Sequence, residues 1–102
     1  MVIIMLIEKV VREEARRNQQ MIEQYEQLLA PLPKGSLICR RKGYYYLKYR
    51  EGDTVFDVYI GREGAKVETL RDQLQQRRHY QEMLNVLRKE QKKINKILEG
   101  LT

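Results

Sequence analysis

Apolar side chains recur every three or four residues over two long stretches of the chain, and alternate with polar ones over a shorter stretch between them. In the first, Ile4, Ile7, Val11, Met21, Tyr25, Leu28 and Leu32 keep that spacing once Glu14 and Asn18 are admitted as polar members. The stripe predicts a coiled-coil-like helix over 3–30 with a polar middle. Pro31 and Pro33 end it, because proline has no amide hydrogen to continue the ladder. In the last stretch, Leu70, Gln73, Arg77, Tyr80, Leu84, Leu87, Gln91, Ile94, Leu98 and Leu101 step by three and four. They predict a second helix over 65–99, with Gly100 as its stop.

The middle stretch carries short runs rich in β-branched and aromatic residues, over 36–41, 44–50 and 54–60. Lys42-Gly43 and Glu51-Gly52 separate them, and glycine accepts the positive φ of a tight hairpin turn. This reads as a three-stranded antiparallel meander over 36–61. With two-residue turns, Leu47 falls between Ile38 and Phe56, and Tyr45 between Arg40 and Val58. These share the more apolar face with Tyr49. The other face then gathers Leu37, Lys48, Val55, Cys39, Tyr46, Asp57, Arg41, Tyr44 and Tyr59.

Helices this long need a partner, since amphipathic helices draw most of their stability from packing. The meander returns the chain, so the two should run antiparallel. If Ala30 lies near Lys66, Asn18 faces Arg78 and Glu14 faces Glu82. Glu14, Asn18 and Arg77 would then form a polar layer that fixes register. The expected fold class is α+β: a long antiparallel helical hairpin with a three-stranded meander at its tip, in a single domain spanning 1–102.

Charge adds one thing to this picture. The formal net charge is +6, and it is unevenly spread. Residues 1–34 hold five basic and five acidic side chains, 35–66 hold seven and four, and 67–102 hold eight and five. The excess lies in the meander and the last helix, which fits an anionic partner such as nucleic acid.

Arg40, Arg41 and Lys42 form the densest basic cluster of the meander, and Tyr44, Tyr46, Lys48 and Tyr59 lie beside it. Basic side chains grip phosphates, and tyrosines stack on bases or reach their edges. These seven residues are the candidate nucleic-acid contacts. The same residues also suit a small sheet that uses tyrosine to cover area and charge to keep an edge soluble. The basic run Arg88, Lys89, Lys92, Lys93 and Lys96 reads as a solvated helix face. Gly61-Arg62-Glu63-Gly64 reads as a connector.

Other chemistry is thin. Cys39 is the single cysteine, which excludes an internal disulfide and fits a reducing compartment. His79 is the single histidine, with no cysteine pair near it, so no metal site is expected. No nucleophile–base–orienter set stands out, so no enzyme activity and no cofactor are expected. The apolar start, residues 2–7, is too short to span a membrane and lacks a secretory leader, which points to the cytoplasm. It is also wider than one helix seam needs, which points to a homodimer through the helices, to a protein partner, or to burial against the far end of the second helix.

The stretch 35–61 resembles small proteins of bacteria and their phages that share a Lys-Gly-Ser entry, a Tyr-Tyr-x-Leu-x-Tyr-Arg strand and a Tyr-Ile-Gly exit before a long charged helix. Here these are Lys34-Gly35-Ser36, the strand ending at Arg50, and Tyr59-Ile60-Gly61. The resemblance covers about the last two-thirds of the chain and implies architecture rather than chemistry. The meander followed by a helix also looks like the arm-site DNA-binding domains of phage integrases, which place a three-stranded sheet in the major groove. The expected function is therefore a small non-enzymatic nucleic-acid-binding protein of a phage or mobile element. The alternative is a protein-binding inhibitor or regulator, such as an anti-CRISPR protein or an antitoxin, using the helices and the meander as its contact surface.

Overall fold

The computed structural model describes residues 2–101. It is an α+β fold of two helices and one three-stranded antiparallel sheet. Helix α1 runs Val2–Leu29, strand β1 Ser36–Arg40, β2 Tyr44–Glu51, β3 Thr54–Arg62, and helix α2 Ala65–Leu101. A short 3-10 turn, Arg41–Gly43, joins β1 to β2. The expected elements are all present, and their bounds move by one or two residues. Helix α2 passes through Gly100, the expected stop, and reaches Leu101.

The described residues group into two compact units. One holds residues 1–30 and 80–102, the other residues 31–79. Helix α2 belongs to both, with residues 65–79 in the second and the remainder in the first.

In the first unit, α1 packs antiparallel on the latter part of α2. Ile22, Leu84 and Leu87 are buried together, with Tyr25 and Leu29 packed against them. Burying each aliphatic side chain contributes about 1.5–3 kcal/mol. The rings of Tyr25 and Tyr80 meet at 5.7 Å, tilted by 54°. Every member of the expected α2 seam is buried or half-buried. The α1 seam is shifted from the expected one. Val11, Asn18 and Tyr25 face inward as read, but Ala15, Ile22 and Leu29 accompany them in place of Glu14, Met21 and Leu28, which are exposed. Either choice steps by three and four, so periodicity alone does not separate two adjacent stripes on one helix.

Asn18 is the one buried polar side chain among the described residues. Its amide Nδ2 donates to the Leu87 carbonyl at 2.9 Å and to Gln91 Oε1 at 2.7 Å. The polar layer is real, but its members are Asn18 and Gln91. The pairings of Asn18 with Arg78 and of Glu14 with Glu82, and the layer built from Glu14, Asn18 and Arg77, do not form. That reading set the helices level at Ala30 and Lys66. The first turns of α2 are instead committed to the second unit, where Val67 and Leu70 are buried. Arg77 serves the second unit too, where its guanidinium donates to the Leu32 carbonyl at 2.9 Å and holds the proline segment on α2.

In the second unit the strands lie in the order β1-β2-β3, the meander as read. Its register differs at both turns. Leu47 sits between Leu37 and Val58, and Tyr46 between Ile38 and Tyr59. The first turn has three residues, with Lys42 at φ 65° and Gly43 at φ 76°. The second is Gly52-Asp53, since Glu51 already pairs with Thr54. Leu47 is the buried centre of the inner face. That face also carries Leu37, Cys39 and Tyr45, which border a cleft of about 420 Å³ with Arg71, Leu74 and Arg78 of α2.

Gly35 enters β1 at φ 118°. A Cβ there would collide with the Lys48 carbonyl oxygen and stand 2.9 Å from Tyr49 Cβ. We therefore expect Gly35→Ala to cost about 1–3 kcal/mol, from clash and from a backbone conformation only glycine adopts easily. Urea melts should show the loss as a lower midpoint. Asn18→Ala should cost a similar ~1–3 kcal/mol, by removing two buried hydrogen bonds and leaving a small void. A melt of that variant matching the parent would show the Asn18 layer to be energetically idle.

Candidate functional site

The outer face of the sheet is built from alternate residues of β2, Tyr44, Tyr46 and Lys48, with their cross-strand partners. Arg40 pairs with Tyr44, Tyr59 with Tyr46, Asp57 with Lys48, and Arg62 with Tyr44 from the other side. Five of the seven candidate residues, Arg40, Tyr44, Tyr46, Lys48 and Tyr59, thus share one face. Arg41 and Lys42 lie in the adjoining turn, both exposed.

Arg40 is the correction. Two-residue turn geometry put it on the apolar face with Tyr45. The three-residue turn changes the parity of β1 against β2, so Arg40 and Ile38 move to the tyrosine face while Leu37 and Cys39 move to the inner one.

Side-chain contacts on the outer face are dense for an exposed surface. Tyr59 stands between two tyrosines, 6.0 Å from the Tyr44 ring and 5.4 Å from the Tyr46 ring, tilted by 54° and 60°. Such edge-on arrangements suit the ring quadrupole. The Arg40 guanidinium lies 4.5 Å from the Tyr46 centroid, and that of Arg62 lies 4.7 Å from the Tyr44 centroid. Asp57 holds Arg40 in place at 2.8 Å, and Arg62 Nη2 donates to the Tyr44 hydroxyl at 2.9 Å. Both arginines rest over a ring and remain exposed. Tyr59 remains 54% exposed, so its ring is open to a ligand. Arg40, Arg41, Tyr44 and Tyr46 border a shallow recess of about 480 Å³.

Arg62 and Asp57 were not among the candidates. Simple alternation from Tyr59 puts Arg62 on the opposite face. The sheet has a bulge: Tyr46 pairs with Tyr59, but Tyr45 pairs with Gly61, so Ile60 is the extra residue. A bulge inverts the alternation beyond it, which brings Arg62 beside Tyr44. Gly61, at φ 140°, is consistent with such a break. Asp57 was placed on the correct face, but its carboxylate draws attention only once Arg40 joins it.

The connector residue Glu63 has a structural task within the same unit. Tyr45 donates its hydroxyl proton to Glu63 Oε2 at 2.8 Å, and Arg71 donates to both carboxylate oxygens at 3.3 and 3.4 Å. Arg71 also pairs with Glu68 and lies 5.7 Å from the Tyr45 ring centroid. The clasp ties β2 to α2 through one carboxylate. The Arg71 hydrogen bonds, then the Tyr45 one, hold the Glu63 carboxyl below its usual range. The Tyr45 phenol is pushed above its usual value, first by the bond to Glu63.

Among the described residues, no group of three or more His, Cys, Asp or Glu side chains is placed to hold a metal ion. Nor is any helix among them long and apolar enough to cross a membrane.

Fold and site together define a small α+β protein whose sheet carries an open tyrosine–arginine face. The chain belongs to the family of a domain of unknown function, DUF6788, whose model matches residues 11–76. That span covers α1 from Val11, the whole meander and the first turns of α2. No curated protein and no solved structure matches the chain.

A depressed carboxyl value fixes the sign of a pH effect. The Glu63 clasp is fully stabilising above the ordinary glutamate value, about 4.3, and its contribution is lost as pH falls through the lower folded value. Melting temperatures of the parent and of Glu63→Gln should therefore differ at neutral pH, with the parent higher. They should converge as the pH falls through the depressed folded value. A gap that persists unchanged at acid pH would mean the carboxylate's charge is not what holds the clasp.

Proposed function

We propose that the protein is a non-enzymatic, cytoplasmic nucleic-acid-binding protein, and that the outer face of the meander is its contact surface. The observation that carries this reading is the pairing of guanidinium and ring on an open sheet: Arg40 over Tyr46 and Arg62 over Tyr44, with Tyr59 exposed between them. Guanidinium groups resting over rings and an exposed tyrosine suit bases, which present flat π-faces whatever their identity. Arg41, Lys42 and Lys48 add exposed positive charge for phosphates. Asp57 is the one carboxylate among the side chains of this face named above, and it is already paired to Arg40.

Packing alone accounts less well for the same residues. Rings that served only to cover the sheet would be covered themselves, yet Tyr59 lies open and Lys48, Arg40 and Arg62 are exposed beside it. The basic excess of 35–66 also falls on this element.

Fluorescence anisotropy with labelled single strands and duplexes tests the reading. Affinity should fall with salt, with a log–log slope of about −2 to −4 for a handful of phosphate contacts. Arg41→Ala should flatten that slope by about one unit, and Tyr59→Ala should cost roughly 1–3 kcal/mol with the slope unchanged. Asp57→Asn should tighten binding, because it removes the carboxylate that competes with phosphate for Arg40. No binding to either form at low salt would end the proposal.

A further inference from the structure

Helix α1 carries a second stripe that its packing on α2 leaves uncovered. Ile3, Ile7, Val10, Glu14, Arg17, Met21, Gln24 and Leu28 step alternately by four and three residues along the whole helix. This is the a/d spacing of a coiled-coil seam. It is distinct from the inward stripe of Val11, Ala15, Asn18, Ile22, Tyr25 and Leu29, and lies about a quarter-turn round the helix from it. Its apolar members are exposed, from Met21 at 41% to Ile3 at 71%. A helix needs one such stripe to pack on one neighbour.

The stripe is complementary to itself when reversed. A two-fold axis placed between residues 15 and 16 of two antiparallel copies sets Ile3 opposite Leu28 and Val10 opposite Met21. It sets Ile7 opposite the aliphatic part of Gln24. At the centre it sets Glu14 opposite Arg17, twice. Each layer then joins an a position to a d position, as antiparallel pairing demands. Within one copy, Glu14 and Arg17 are only 3.4 Å apart and both remain more than half exposed. A parallel pairing would instead set Glu14 against Glu14 and Arg17 against Arg17, with like charges in contact. We infer that the protein forms an antiparallel homodimer through the outer face of α1, with the Glu14–Arg17 pairs setting its direction and register. The occupant is a second copy of this chain, chosen by that charge complementarity, and the interface is isologous. Nothing in this inference depends on nucleic-acid binding.

Sedimentation velocity of the full chain over a concentration series should show a monomer–dimer equilibrium. Glu14→Arg and Arg17→Glu should each raise the dimer dissociation constant at least about tenfold, by placing like charges across the axis. The double variant Glu14→Arg/Arg17→Glu should recover most of that loss. All three should keep the parent's helicity by circular dichroism, since both positions are exposed. Direction is read by cross-linking with a short bis-maleimide in a Cys39→Ser background. Glu14→Cys should link to its own copy, being offset along the axis by only ~4–5 Å, whereas Ile3→Cys should not, at an offset of ~37 Å. A monomer at every concentration, single charge reversals without effect, or linking through Ile3→Cys would each overturn the inference.

Discussion

In an antiparallel pair of strands, the number of residues in the connecting turn decides which side chains lie opposite one another, and so which face each one joins. Between β1 and β2 that number is three. Lys42 and Gly43 both take positive φ, which turns the chain back with Arg40 directly opposite Tyr44. Arg40 then stands beside Tyr46 and within reach of Asp57, and Leu37 and Cys39 turn inward. One residue fewer would send the Arg40 side chain towards α2 and leave Tyr46 without its guanidinium. The bulge at Ile60 acts in the same way on the far edge, where it brings Arg62 onto Tyr44. Both cationic contacts of the outer face therefore rest on local departures from plain strand alternation.

This explains which parts of the site were legible in the sequence. The central strand was: Tyr44, Tyr46 and Lys48 share a face in any register, because period-two alternation needs no partner. Tyr59, Asp57 and Val55 were too, because moving the turn after β2 by one residue shifts the pairing register by two, and an even shift preserves the face. Arg40 and Arg62 were not, because an odd turn and a bulge each invert parity. Lys42-Gly43 and Glu51-Gly52 look alike as dipeptides, yet one forms part of a three-residue turn and the other gives its glycine alone to Gly52-Asp53. The φ values that distinguish them depend on tertiary packing that no dipeptide encodes.

The helices tell a parallel story. The α2 stripe was legible in full, because it is unbroken and every member is used. Its partition was not. One stripe serves the second unit through Leu70 and serves α1 through Leu84 and Leu87, and nothing in a three–four repeat marks where one partner ends and the next begins. Counting from the connecting segment assumed a single partner throughout, and so displaced the register of α1. Asn18 supplies the missing information only in hindsight. Its amide donates two hydrogen bonds, and the second lone pair of the Leu87 carbonyl and Gln91 Oε1 accept them, one turn apart on α2. Arg78, level with Asn18 when residues are counted from the connecting segment, is a donor and could satisfy neither of those bonds.

The two polar interruptions of α1 differ in a way that bears on what each is for. Asn18 is neutral, buried and saturated by partners within the chain, so it fixes an internal register and asks nothing of the surroundings. Glu14 and Arg17 are charged and exposed, and bound only to each other across less than one helical turn. A pair of that kind contributes little to a helix in water, because solvent already satisfies both groups. It also interrupts a stripe whose apolar positions, Ile3, Ile7, Val10, Met21 and Leu28, would cost less in water as polar residues. Solvent exposure therefore accounts for the charges but not for the apolar residues on either side of them. An apolar partner would account for those residues but would leave the charges stranded. A surface bearing the same pattern in reverse satisfies both at once, and α1 itself is such a surface.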